Sequence, residues 1–164
     1  MEIRKANIHD ASEIVRVMTN AEESNFMLFE PGERQITVEQ CAGMIENLNN
    51  AEKSALFVAS EENKIYGYMI VRGDQARRIS HRAYIVIGVH SDSRGKGVGT
   101  ALFEHLHCWA KDAGLHRLEL TVISNNDVAV GLYKKMGYEI EGVKKDSLFI
   151  DGIYVDEYYM AKLI

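Results

Sequence analysis

Cysteine, proline and tryptophan are scarce in this chain of 164 residues, with two, one and one respectively. Cys41 and Cys108 have no Cys-x-x-Cys spacing, which sets aside a disulfide scaffold and the common zinc and redox motifs. The N-terminus lacks a basic segment followed by an apolar one, so the expected location is the cytoplasm, with both thiols reduced. No apolar run approaches the ~20 residues of a membrane-spanning helix, so no membrane partner is expected. Positive charge is not in excess either. Nineteen Lys and Arg against 24 Asp and Glu leave a net charge of −5, which argues against a nucleic-acid surface. With no repeat, low-complexity tract or linker, residues 1–164 read as one domain, large enough to bury a sizeable core.

What is present is a succession of strand and helix patterns. Residues 2–6 read as a strand. Residues 8–21 read as a helix capped by Asp10, with Ile14, Val15, Met18 and Ala21 on one face. A loop at 25–35 holds the only proline, Pro31, and Thr37 caps a second helix through Cys41, Ile45 and Leu48. Residues 54–60 and 65–72 form a hairpin, and the basic stretch 73–82 is a solvated connection. Residues 83–89 are a buried strand. Residues 98–113 are a helix that turns Val98, Leu102, Leu106, Trp109 and Ala113 to the core and ends at Gly114. A strand at 117–122, a short helix at 127–136 and two strands joined at Asp151-Gly152 complete the chain. The order βααβββαβαββ belongs to the α+β class.

The chemistry concentrates after the buried strand, in Arg94-Gly95-Lys96-Gly97-Val98-Gly99-Thr100. A strand, a glycine-rich turn and a helix start make an anion cradle, because glycine lets main-chain N–H groups approach a ligand and a helix start leaves such groups unpaired. Two nucleotide motifs fail. Lys96 between Gly95 and Gly97 breaks the Walker spacing. The dinucleotide pattern finds Thr100 where its third glycine belongs, although Glu119 stands twenty residues after Gly99.

The segment does match the Arg/Gln-x-x-Gly-x-Gly/Ala loop of the GNAT superfamily of N-acetyltransferases in every specified place. Downstream, the run from Asn126 through Ala129, Tyr133 and Gly137 to Tyr138 resembles the family's Asn-x-x-Ala-x-x-x-Tyr-x-x-x-Gly-Phe/Tyr segment. The specific resemblance covers residues 83–138. It implies the GNAT-like acyl-CoA N-acyltransferase fold, a mixed sheet with antiparallel ends and a parallel central pair. It also implies an enzyme that moves acetyl from acetyl-coenzyme A to a primary amine of a small molecule or peptide, and a homodimer.

The resemblance assigns roles residue by residue. Main-chain groups of Arg94, Gly95, Lys96, Gly97, Val98, Gly99 and Thr100 hold the pyrophosphate. Ile87 and Val89 pair with the pantetheine arm, which enters a cleft facing the strand at 118–122, and Asn126 bonds the same arm. Tyr133 is the general acid for the departing thiolate, a task that needs a phenol O–H. Many family members carry a glutamate base on the strand before the loop, and here that position is Tyr84. The base therefore stays open between Glu30, Glu119 and a water relay. No metal site is expected, because His105 and His107 point to different sides of a helix and no ligand set completes them. A non-catalytic acyl-coenzyme A binding module is the alternative function, and Tyr133 argues against it, since mere binding has no use for that phenol.

Overall fold

The computed structural model describes residues 1–164. Its elements are β1 (Glu2–Lys5), α1 (Ala11–Glu22), α2 (Val38–Asn50), β2 (Ala55–Glu61), β3 (Lys64–Gly73), β4 (Arg82–Val89), α3 (Val98–Asp112), β5 (Arg117–Ile123), α4 (Asp127–Lys135), β6 (Glu139–Ile150) and β7 (Ile153–Leu163). The seven strands make one sheet in the order β1-β2-β3-β4-β5-β7-β6. Every neighbouring pair is antiparallel except β4 and β5. The α+β element order read from the sequence, and the mixed sheet that the resemblance implies, are thus observed.

Strand alternation divides the core into two layers. Ala83 and Ile85 of β4, with Leu118, Leu120 and Val122 of β5, pack against Val98, Leu102, Phe103 and Leu106 of α3. On the other face Leu56, Val58, Tyr68 and Ile70 meet Ile14, Val17 and Met18 of α1 and Cys41 and Ile45 of α2. Cys41 therefore lies on one side of the sheet and Cys108, exposed on α3, on the other; both are free thiols. Burial pushes the Cys41 thiol up to about 11. No helix is long and apolar enough to cross a membrane.

Local chemistry moves some boundaries. Asn7, not Asp10, caps the first helical turn: its side chain accepts from His9 N, while Asp10 accepts the Asn7 amide at 2.8 Å and is held by Arg4. Thr37 and Gln40 form the reciprocal capping box of α2. On α1 it is Val17 that is fully buried, while Val15 sits at the margin. On α3 the buried stripe turns onto Ala110 rather than Trp109. The indole instead packs edge-on against Phe57 at 5.4 Å, at the rim of that layer. The basic connection before β4 is only partly solvated, because Arg82 bonds Asp74 at 2.8 Å.

An aromatic cluster closes the α3 layer. Phe103 meets Tyr133 and Tyr138 edge-on, and the His107 ring lies against Tyr138 at 5.9 Å. His107 Nε2 and the Tyr138 hydroxyl are both buried without a hydrogen-bond partner. Burial, aided by Lys162 and Lys111, lowers the His107 imidazole from 6.5 to about 4. Between these values the unfolded chain carries a proton that the folded chain refuses, so stability rises with pH across that window. The contribution is complete above pH 6.5 and is lost as pH falls toward 4. Melting temperature should fall between pH 7 and 5, and His107→Phe should flatten that dependence while keeping the ring stack. Thermal melts of both proteins at the two pH values check this.

Candidate active site

β4 and β5 pair only from Arg82↔Arg117 to Tyr84↔Glu119. Beyond that point β4 stays with β3 and β5 stays with β7, so the two parallel strands part. The His90 amide donates to the Tyr66 carbonyl at 2.9 Å, which fixes the phase of the β3–β4 ladder. Main-chain groups alternate sides along an antiparallel strand, so those of Ile85, Ile87 and Val89 face the opening. Ile87 and Val89 thus turn main-chain groups toward that opening. On β5 the open stretch begins at Leu120 rather than 118, because Leu118 and Glu119 still pair with β4.

Two close contacts shape this opening. A Cβ on Gly88 would lie 2.4 Å from the buried Tyr68 ring, so glycine alone lets β4 lie on that ring. A Cβ on Gly99 would lie 2.7 Å from Leu132 Cδ2, so this glycine serves the approach of α4 to α3. Gly95 and Gly97 differ from both. Their φ angles are +72° and +80°, and no atom lies within 4 Å of where a Cβ would stand. They give the loop its left-handed turns and leave its outer side open.

None of the N–H groups of residues 95–100 has a hydrogen-bond partner in the protein; the first paired amide of α3 is Ala101, donating to Gly97. These groups converge at a helix N-terminus, a geometry suited to phosphate. Arg94 and Lys96 are exposed there and form no ion pair. The loop is anchored from α1: Asn20 accepts the Ser91 amide at 2.7 Å and donates to the Ser91 hydroxyl at 3.1 Å. The chain therefore fits a pyrophosphate on its own geometry. No group of three or more His, Cys, Asp or Glu is placed to hold a metal ion.

Asn126 caps α4 by accepting the Ala129 amide through Oδ1, which leaves its amide nitrogen unused. Gly137, at φ +89°, ends the helix with Tyr138 N bonded back to the Tyr133 carbonyl, and Lys162 covers the Met136 carbonyl. Gly137 and Tyr138 are thus structural members of their motif. The Tyr133 ring is buried against Phe103. Its hydroxyl makes no protein hydrogen bond, yet it is not sealed as that of Tyr138 is. Burial raises the Tyr133 phenol above its usual range, with Tyr84 adding to the effect.

The candidate bases lie apart. Glu119 accepts from Arg117 Nε at 2.8 Å and lies 3.8 Å from Arg82, in a network that Arg117 extends to Glu141. Glu30 is exposed on the loop between α1 and α2, beside Leu148, Phe149 and Ile150 of β6. Asn25 donates to Asp151 at 3.0 Å and joins that loop to the turn between β6 and β7. The loop returns through Arg34, which pairs with buried Glu22 and stacks on Phe29. Neither the Asn20–Ser91 clamp nor the Glu22–Arg34 pair has a sequence signature. Each joins elements through ordinary polar residues. Of the late tyrosines, Tyr158 packs on the core, whereas Tyr154 and Tyr159 are exposed.

The sequence pattern of the acetyltransferase (GNAT) family matches residues 17–138. An acetyltransferase of the GNAT family from Streptococcus pneumoniae is 30% identical, with 99% of this chain and 98% of that one superimposed at a TM-score of 0.93. An L-amino acid N-acetyltransferase from Escherichia coli (strain K12) is 37% identical over 110 residues. The match takes in 65% of this chain and 66% of that protein, just under two thirds of its length. A GNAT superfamily phosphinothricin acetyltransferase from Sinorhizobium meliloti, solved in complex with acetyl-coenzyme A, shares the fold at 19% identity. There the TM-score is 0.87, with 99% of this chain and 88% of that one covered.

Gly88 is a sharp probe of the opening's floor. Gly88→Ala drives a methyl into the buried Tyr68 ring, and overpacking of this kind costs about 1–3 kcal/mol. Urea denaturation should show that loss, whereas Gly131→Ala, with nothing within 4 Å of the new Cβ, should not.

Proposed function

The chain belongs to the acetyltransferase (GNAT) family, and on that premise we propose that it moves acetyl from acetyl-coenzyme A to the primary amine of a small molecule, with free L-amino acids as the foremost acceptor class. The observation that carries the reading is the glycine loop. Its unpartnered amides stand at the mouth of an opening lined by unpaired β4 main chain, which suits a ligand with an anionic head and a long amide-bearing arm. The acceptor class draws support from the Escherichia coli relative's activity on L-amino acids.

In this reading the amides of residues 95–100, with Arg94 and Lys96, hold the pyrophosphate. Ile87 and Val89 pair with the arm as a neighbouring strand would. Asn126 keeps its helix cap and offers its free amide nitrogen to the same arm. Bound acetyl-coenzyme A supplies an acyl group already activated as a thioester. The amine nitrogen forms the new C–N bond as the C–S bond breaks, and its surplus proton leaves to water. Tyr133 gives its proton to the departing sulfur and regains one from solvent. The raised phenol stays protonated throughout the neutral range, so the donor is always loaded. Its contribution begins as a hydrogen bond to the charge developing on sulfur.

The purified protein with acetyl-coenzyme A should release free thiol with at least one member of a panel. That panel comprises L-amino acids, a polyamine, an aminoglycoside-type amine and a peptide N-terminus, and mass spectrometry should find the acetylated product. Tight acetyl-coenzyme A binding with no thiol release from any of them would favour the non-catalytic binding module instead.

Two variants separate binding from chemistry. Tyr133→Phe keeps the stack on Phe103 and should leave calorimetric acetyl-coenzyme A affinity near wild type, while the single-turnover rate falls about 10²-fold. An unchanged rate would make Tyr133 a packing residue. Gly97→Val puts a side chain over the open loop at a positive φ, at a backbone cost of about 1–2 kcal/mol. It should weaken acetyl-coenzyme A binding in a protein that still melts cooperatively.

A further inference from the structure

We propose that the hydroxyl pair of Tyr84 and Thr121 forms the acceptor side of the reaction centre: Thr121 fixes the Tyr84 phenol, and the phenol oxygen accepts a hydrogen bond from the attacking amine. The inference rests on the acetyl-transfer reading above; it gives a role to Tyr84, which stands where many family members carry a glutamate, and to Thr121, which lies outside both motifs.

Tyr84 is the last residue of β4 still paired with β5. Its neighbours Ala83 and Ile85 are buried toward α3, so the Tyr84 side chain stands on the opposite face of the sheet. There its cross-strand partners are Arg72 on β3 and Glu119 on β5. Thr121 is two residues past Glu119, on the same face but beyond the last main-chain pair. The two hydroxyls approach to 2.7 Å. This bond bridges β4 and β5 where the main chain has stopped doing so, at the inner end of the opening. Tyr133 packs among α3 residues on the other face. The two phenols thus belong to opposite faces of the sheet.

Their surroundings divide the labour. Tyr133 is enclosed by aromatic rings, which suits a donor waiting beside a soft, weakly hydrated sulfur. Tyr84 is 36% exposed, on the face that carries the loop between α1 and α2, which Asn25 joins to the turn after β6. An amine reaching the opening from that face meets the phenol first. Either hydroxyl can donate in this pair; when Thr121 accepts the phenol proton, the phenol oxygen keeps a lone pair for an amine N–H, and the nitrogen lone pair is left pointing into the gap. Tyr84 would then be a catalytic residue by contact with the substrate, and Thr121 a positioning residue.

The test uses the full chain with Tyr84→Phe, Thr121→Val and Thr121→Ser, and the L-amino acid that gives the highest thiol release as acceptor. Calorimetry should find acetyl-coenzyme A affinity unchanged in all three. Amine kcat/KM should fall about tenfold to a hundredfold in Tyr84→Phe and in Thr121→Val. Thr121→Ser should restore it, and the Tyr84→Phe/Thr121→Val double variant should be no worse than Tyr84→Phe alone. A merely structural cross-strand brace would instead lower melting temperature and acetyl-coenzyme A affinity together, with no rescue by serine, and that result would overturn the proposal. So would wild-type amine kcat/KM in folded Tyr84→Phe. A wild-type protein that turns over no amine would overturn the underlying reading and this inference with it, and the failure would show before any variant is made.

Discussion

The parting of β4 from β5 is the constraint on which the rest of the molecule depends. Two parallel strands that continued in register would satisfy each other's main chain and leave nothing for a ligand. Here the pairing stops at Tyr84 and Glu119, while β3 and β7 continue to hold the outer sides. Polar main-chain groups of β4 are left facing a gap inside an otherwise complete sheet. Such groups are costly to leave buried and unpaired, so the opening stands ready for a partner that pairs as a strand would.

Much of the surrounding packing keeps that opening in shape. Tyr68 supports β4 from below at the one residue, Gly88, that has no side chain to collide with it. α4 leans on α3 across Gly99, which brings Tyr133 among the α3 aromatics. The clamp from Asn20 to Ser91 ties the end of α1 to the start of the glycine loop. The glycines of one short motif therefore do unlike jobs. Gly95 and Gly97 turn the chain and keep the loop's outer side open, whereas Gly99 serves helix packing.

The electrostatics follow the same division. The protein is acidic overall, yet the loop offers six free amides and two unpaired cations, so an anion is received locally against the sign of the whole. Across the sheet, Glu119 is committed to Arg117 and Arg82. That commitment, and the exposed position of Glu30, turn attention from carboxylates to the hydroxyls of Tyr84 and Thr121 at the inner end of the gap.

Element order and the anion loop were legible in the residues themselves, and the mixed sheet only through the family resemblance. The first two are written in short-range terms: period-two and helical apolar patterns, the cap at Thr37, and glycines where φ must be positive. Short-range reasoning erred by a residue or two where neighbouring side chains compete, as at Asn7 against Asp10 and Ala110 against Trp109. The length of the β4–β5 pairing was beyond it, because nothing in either strand's own sequence says where two segments 35 residues apart will stop bonding. The Tyr84–Thr121 contact, the Glu22–Arg34 pair and the isolation of His107 were equally invisible. They arise from side chains of common types brought together by the fold, and their chemistry depends on distance and burial rather than on spacing along the chain. The sequence by itself determined which elements form and which loop receives an anion. Only the tertiary structure decided which groups meet across the gap, because that is set by how the sheet and its two helix layers pack.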